Sequence, residues 1–218
     1  RTVIANIICQ GGRKLAVDYA QWLSEFLGKM VRFTVHDYDH ETWVTGYCSL
    51  TFDSAHYEDA IPGTVTVVCD DPRRYGSEVH TVYAYAASGG SGGLQYEADS
   101  PRGLIFPLNY GNVSTASTTC SLQNNGASYM YPTIRYYGNG RDCRILMSNG
   151  QEVRYRGLGG QPVLFDCLNH SATINGVDVT RYVSCRQWPK IAPNSEMVFS
   201  IVSDSGDYLQ ITGFDTYL

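Results

Sequence analysis

The sequence predicts a mostly β protein in two domains, the first flanked by one α-helix and the second a β-sandwich. Three observations carry this. Short runs of alternating apolar and polar residues recur along the 218-residue chain, which holds 17 Tyr and 22 Gly among abundant Val, Thr and Ser, a composition suited to strands and tight turns. A single window shows a sustained helical period. One stretch rich in Gly, Ser and Pro separates the halves.

Residues 2–9 alternate loosely as a strand, and Gly11-Gly12 breaks it. In the following "RKLAVDYAQWLSEFLGK", Leu15, Tyr19, Trp22, Leu23, Phe26 and Leu27 recur at spacings of three and four. This spacing predicts a helix over 13–27, with Gly28 as its stop and the aromatic stripe laid against a sheet. "KMVRFTVHD" and "ETWVTGYCSLTF" read as a hairpin, and a strand over 64–69 follows. It runs into "VTVVCDDPRRYG", where an apolar strand meets two acids, a proline and two arginines. Pro72 cannot donate to a ladder and is expected to stop the strand. Beyond it periodicity fades into Gly and Ser at 88–93 and prolines at 101 and 107. The expected domains are therefore 1–86, a linker at 87–113, and 114–218.

The second half reads as short strands: "YPTIRYYG", "CRILM", "EVRYRG", "VLFD", "ATI", "MVFSIV" and "YLQITGF". Seven or eight strands in about 100 residues is a sandwich count. Asn149-Gly150 and Asn175-Gly176 suit two-residue type I′ hairpins, and Arg135, Arg144 and Arg154 are expected to guard strand edges.

Net charge is -5 with only 17% charged residues, so no basic face points to sequence-specific nucleic-acid binding. No apolar run reaches the ~18 residues of a membrane span. The seven cysteines, at 9, 48, 69, 120, 143, 167 and 185, lack C-x-x-C spacing and read as reduced thiols of a protein assembled in cytosol. The chain opens at Arg1 and falls directly into a strand, so an upstream segment is expected.

Chemistry-bearing motifs are sparse. "HDYDH" at 36–40 concentrates possible metal ligands, but in a hairpin turn they splay apart, and no second cluster completes a shell. "SDSGD" at 203–207 lacks the ligand series of a calcium loop and reads as a turn. No G-x-S-x-G elbow or cysteine-protease signature occurs. Glycines 89, 90, 92 and 93 do not open a helix, so they form a joint rather than a phosphate cradle. Neither catalytic residues, metal nor cofactor are expected. Tyr129, Tyr131, Tyr136, Tyr137 and Trp188 are candidates for stacking on sugars, and half of an alternating set points inward. A carbohydrate-binding adhesin that grips host-wall glycans is the alternative function they support.

The order of these segments resembles the siphophage distal tail protein family, in particular minor tail proteins of phages that infect actinobacteria. "VTVVCDDPRRYG" is similar to a strand ending in Asp-Pro with following Arg and Tyr. "GGLQY" through "GLIFPLNYGN" resembles a linker with a Phe-Pro-Leu segment. "NNGASYMYPTIRYYG", "GQPVLFDCLNHSATINGVDVTRY" and "WPKIAPNSEMVFSI" resemble successive parts of the second domain, although "PNSEM" departs from the commoner Pro-Gly-Asn turn. The resemblance spans nearly the whole chain and implies a tail-tube-like first domain and a galectin-like or jelly-roll second domain. It also implies a virion protein at the distal end of a long non-contractile tail. Such a protein forms a homohexameric ring, with the tail tube protein on one side and the tail-tip hub on the other, and receptor-binding proteins or host glycans as further partners. Within that expectation Asp70, Asp71, Arg73, Arg74 and Tyr75 are subunit-interface candidates. Complementary charges on one chain can fix head-to-tail register in a ring, the other possibility being an internal pairing that pins the strand end.

Overall fold

The computed structural model describes residues 1–38, 40–53, 60–86, 118–138, 142–157, 162–204 and 206–218. The expected linker at 87–113 lies outside them, as do Asp39 and Ser205 of the two motifs weighed for metal. Among the described residues the chain is mostly β with one α-helix, and it divides into two compact units: Arg1–Glu78 with Thr216–Leu218, and Val79–Asp215.

In the first unit β1 (Thr2–Gln10) leads through Gly11 and Gly12 into α1 (Gly12–Ser24), followed by β2 (Met30–His36), β3 (Glu41–Phe52), β4 (Ala60–Val68) and the start of β5 (Arg74–Tyr85). The helix ends three residues before the expected Leu27. Phe26 and Leu27 donate to the carbonyls of Leu23 and Ser24, tightening the last turn, and Gly28 then takes a φ of 70° and donates to the Cys48 carbonyl at 2.8 Å. Gly28 is thus the stop, reached through a tighter turn than an α-helix. β1 pairs antiparallel with β4, β4 with β3, and β3 with β2.

The helix lies on one sheet face through small residues. Ala16 is buried against Cys9 and Ile61, with Ala20 and Leu23 packed beside it. Farther along, Val44, Cys48, Val65, Val67 and Cys69 form a second small cluster. Of the twelve largest fully buried side chains among the described residues, Val44 alone belongs to this unit. Its core is thin.

The second unit is a sandwich. One sheet joins the later part of β5 to β15 (Tyr208–Tyr217), then β7 (Thr133–Tyr137), β10 (Val163–Asp166), β11 (Ser171–Ile174) and β12 (Val177–Asp178). The other runs β13 (Val183–Cys185), β9 (Glu152–Tyr155), β8 (Cys143–Met147), β14 (Ser195–Val202), β6 (Thr119–Asn124). Inward positions alternate strictly, so that Ile134, Tyr136, Ile145, Tyr155, Phe165, Phe199, Leu209 and Ile211 fill one core. Residues 81–85, where periodicity fades in the sequence, complete strand β5.

Two turn and edge expectations are corrected. Asn175 and Gly176 both take positive φ, at 49° and 81°, as a type I′ turn requires, whereas at 149–150 only Gly150 does, at 79°. There Gly150 donates to the Met147 carbonyl at 2.9 Å and Met147 to Gln151 at 3.0 Å, a type I turn with a glycine bulge. Arg135, Arg144 and Arg154 lie on β7, β8 and β9, each flanked by strands on both sides, so they guard no edge.

Candidate assembly surface

The charge knot at the end of β4 is a bulge in a continuing strand edge. Tyr47 pairs with Val68 and Trp43 with Tyr75. Between these pairs β3 advances four residues while the other strand advances seven, so 69–73 loop out and β5 resumes on the same edge of β3. Pro72 sits where no ladder donor is needed. Asp71 organises the loop: its Oδ1 accepts from the Arg73 backbone N–H at 3.1 Å and from Arg73 Nε at 2.7 Å, and its Oδ2 from the other guanidinium nitrogen at 3.0 Å. The Tyr75 hydroxyl also donates to Asp71. Burial pushes the Asp71 carboxyl up, but the bonds from Arg73 and Tyr75 outweigh it and hold its pKa below the usual value. Tyr75 stacks on Trp43 with centroids 4.7 Å apart, and Arg32 covers the same indole at 4.2 Å.

Asp71, Arg73 and Tyr75 are therefore bonded to one another and pin the strand restart. Asp70 is exposed, and Arg74 reaches only Asp37, at 3.9 Å, with its Nε lacking a hydrogen-bond partner among the described residues. Of the five interface candidates, these two retain unspent charge.

The larger feature is apolar. Leu15, Tyr19 and Trp22 remain about half exposed, Trp22 at 56%, and Leu27 beyond the helix at 55%. The stripe expected to face the sheet instead lies roughly a quarter-turn away from it, because Ala16 and Ala20 allow closer approach and carry Leu23 inward. Phe26 alone of the aromatic pair turns to the core, meeting Trp22 edge-on at 5.3 Å.

A second open surface lies on the sheet face away from the helix. Cross-strand pairs set Met30, Tyr47, Val68 and Thr2 in one row, with Ile4 and Ile8 farther along β1 on the same face. Ile4 and Ile8 are 66% and 64% exposed and Met30 62%. Their neighbours on this face include Asn6, Thr64, Thr66, Ser49 and Thr51, with Arg32 beside Met30 as the nearby charge. An apolar face this open marks an interaction surface.

In the second unit the proposed sugar-contact residues scatter. Tyr136 is fully buried, its hydroxyl bonded to Asp207 at 2.5 Å and Ser203 at 2.9 Å, so its candidacy is withdrawn; the alternation of β7 turns it inward. Tyr137 stacks on Tyr208 at 4.6 Å, and Tyr85 meets Tyr208 at 5.6 Å, a cross-strand ladder of which the sequence shows only the alternation of Tyr83 and Tyr85. Tyr131 packs against the core, Trp188 stacks on His170 at 5.8 Å, and exposed Tyr129 lies under Lys190 at 4.8 Å. No single aromatic platform gathers them. The seven thiols are free; burial pushes Cys120 up to about 11, Cys143 up to about 12 and Cys167 well above its ordinary value, as structural thiols.

A thin-cored, helix-flanked β unit with open apolar faces is thus followed in one chain by a well-filled β-sandwich. The fold is similar to the SPP1 Dit protein, described as a paradigm of the hub adsorption apparatus in phages infecting Gram-positive hosts, with a TM-score of 0.59 and 14% identity over 100% of this chain and 79% of that one. It is also similar to a chain of the phage P2 baseplate in its calcium-activated conformation, with a TM-score of 0.51 and 11% identity over 97% and 78%. No family model and no curated protein matches the chain. It has a Dit-like fold.

Proposed function

We propose that the chain is a structural protein of a phage tail tip. Its first unit closes into a ring with copies of itself, continues the tail tube and docks the hub, and its second unit faces outward toward receptor-binding proteins. The observation that carries this is the exposed Leu15–Tyr19–Trp22 stripe together with a separate sheet face bearing exposed Ile4, Ile8, Met30 and Val68. A closed ring needs two different surfaces per subunit that fit each other, and this unit presents two that are apolar and do not overlap. Two half-exposed aromatics at 150–250 Å² each, with two half-exposed leucines, leave on the order of 400 Å² on the helix side, about half of what one partner contributes to a standard interface. The thin core points the same way, since part of the stabilising burial is then supplied by a neighbour. Asp70 and Arg74 fit a rim pair that sets register; the Asp71–Arg73–Tyr75 knot holds the strand restart in shape.

Native mass spectrometry with negative-stain microscopy of the full-length protein tests the proposal. The expected result is a closed ring of six copies with a central hole. A monomer at high concentration would overturn it.

A further inference from the structure

On the outer face of the sheet formed by β8, β9 and β13, Arg144 stands directly opposite Arg154, and Arg154 opposite Ser184. Like charges so placed repel unless each finds an anion. Arg144 grips Glu152 through two bonds at 2.8 and 2.9 Å, and Arg154 grips Asp142 in the same two-pronged way. Two more arginines flank this grid. Arg156 follows β9 and Arg186 follows β13; both are exposed, and among the described residues no carboxylate pairs with either. Four guanidinium groups thus face two carboxylates, an excess of two positive charges in a chain whose net charge is -5.

The small side chain of Ser184 leaves a hollow between the strand ends, a groove of about 810 Å³ lined by Arg154, Arg156, Arg186, Ser184, Gln151 and Gln187 among others. One wall is a chain of amides: Asn149 donates to Gln151 at 3.1 Å, and Gln151 to Gln187 at 2.6 Å. Each amide keeps donors or acceptors to spare.

We infer that this groove binds a hydroxylated anionic polymer, its arginines taking the phosphate or carboxylate groups and its amide wall the hydroxyls. Guanidinium forks match both anions in a way that lysine does not. The lining holds no aromatic or large aliphatic side chain, so it offers no apolar pocket for the aromatic anchor of a protein partner, and its amide wall suits hydroxyl groups, so a hydroxylated polymer fits better than an acidic protein loop. The site lies wholly in the second unit, and it goes beyond ring assembly without depending on it.

The test measures binding of the full-length protein to poly(glycerol phosphate), polygalacturonate, dextran and poly-glutamate, at about 50 and 300 mM salt, a range over which exposed charge pairs become strongly screened. Binding to at least one of the first two, weakened by salt, with none to dextran and roughly tenfold weaker binding to poly-glutamate, is expected, and which polymer binds assigns phosphate or uronate as the anion. R156E/R186E should lower affinity by about tenfold or more, and R156K/R186K by less, because lysine keeps charge but loses the fork. Circular dichroism and the oligomeric state of both variants should match the parent, which separates loss of this site from loss of fold or of assembly. Equal binding of dextran, poly-glutamate binding as tight as the polymers, no binding to either anionic polymer, or unchanged affinity in R156E/R186E would each overturn the assignment.

Discussion

Replacing Trp22 by alanine should break assembly while leaving the subunit folded. The side chain is 56% exposed, so of the up to ~250 Å² a tryptophan can bury, about 140 Å² is left for a neighbour to cover. At ~25 cal/mol per Å² this is about 3.5 kcal/mol per subunit contact as an upper bound, within the range of an interface hot spot and equivalent to roughly three hundredfold in the association constant. Within the subunit the substitution removes mainly the edge-on contact with Phe26 at 5.3 Å, worth about 1 kcal/mol. Sedimentation across a dilution series measures the first effect and urea unfolding the second. Tyr129→Ala, a comparably exposed aromatic in the other unit, should leave the assembly midpoint where it was. A Trp22→Ala protein that assembles over the same concentrations as its parent would refute the role given to the helix stripe.

Asp71→Asn should destabilise the first unit by roughly 1–2 kcal/mol, because Arg73 and Tyr75 lose a charged acceptor in a partly solvated site. The Asp71 pKa is depressed in the folded state, so its contribution is complete above the ordinary carboxylate value near ~4 and is lost as pH falls through the lower folded value. Urea melts between neutral pH and pH ~2 should accordingly show a weaker acid loss in Asp71→Asn than in the parent. Gly138→Ala should cost several kcal/mol, on the order of an overpacked core, because a Cβ there would meet the Asp207 carboxylate and the Tyr136 hydroxyl; calorimetry of the second transition reads it. Tyr136→Phe leaves Asp207, only 4% exposed, without one of its donors and should cost about 1–3 kcal/mol in the same transition. In thiol titration of the native protein at pH ~8, Cys143 and Cys167 should stay silent until denaturant is added, since burial raises both pKa values and removes access.

Period was the reliable part of the sequence. Strict alternation in "CRILM", "EVRY" and "MVFSIV" is the pattern of side chains that fill the sandwich, and Gly28 and Asn175-Gly176 stand where positive φ was needed. The helix shows where period stops being informative. Its largest apolar stripe and its small-residue stripe lie about a quarter-turn apart, and only the geometry of a sheet decides which one is buried. Close packing selected Ala16 and Ala20, a choice that hydrophobicity alone reverses. The proline at 72 shows a related limit: Pro excludes a ladder donor, and β4 does end before it, but the resumption of a strand at Arg74, two residues later, depends on the length of β3 alongside. The arginine groove was hidden because its parts lie 30 residues apart, on β9 and β13, and pairing between distant strands has no local signature.

The two units divide the physics of contact between them, and this gives assembly and polymer binding opposite responses to salt. The first unit pairs Asp71 with Arg73 internally and offers exposed Ile, Leu, Met, Trp and Tyr side chains. Association through such faces is driven by removing apolar area from water, which ordinary salt hardly screens and sulfate strengthens. The second unit fills the larger core and leaves guanidinium groups outward at its groove, so attraction there weakens as the Debye length shrinks from ~10 Å at 0.1 M to ~3 Å at 1 M. Raising salt on one sample should therefore preserve the ring while releasing the polymer. A ring that falls apart over the same range would instead mean that the charged rim at Asp70 and Arg74, and not the helix stripe, holds neighbouring subunits together.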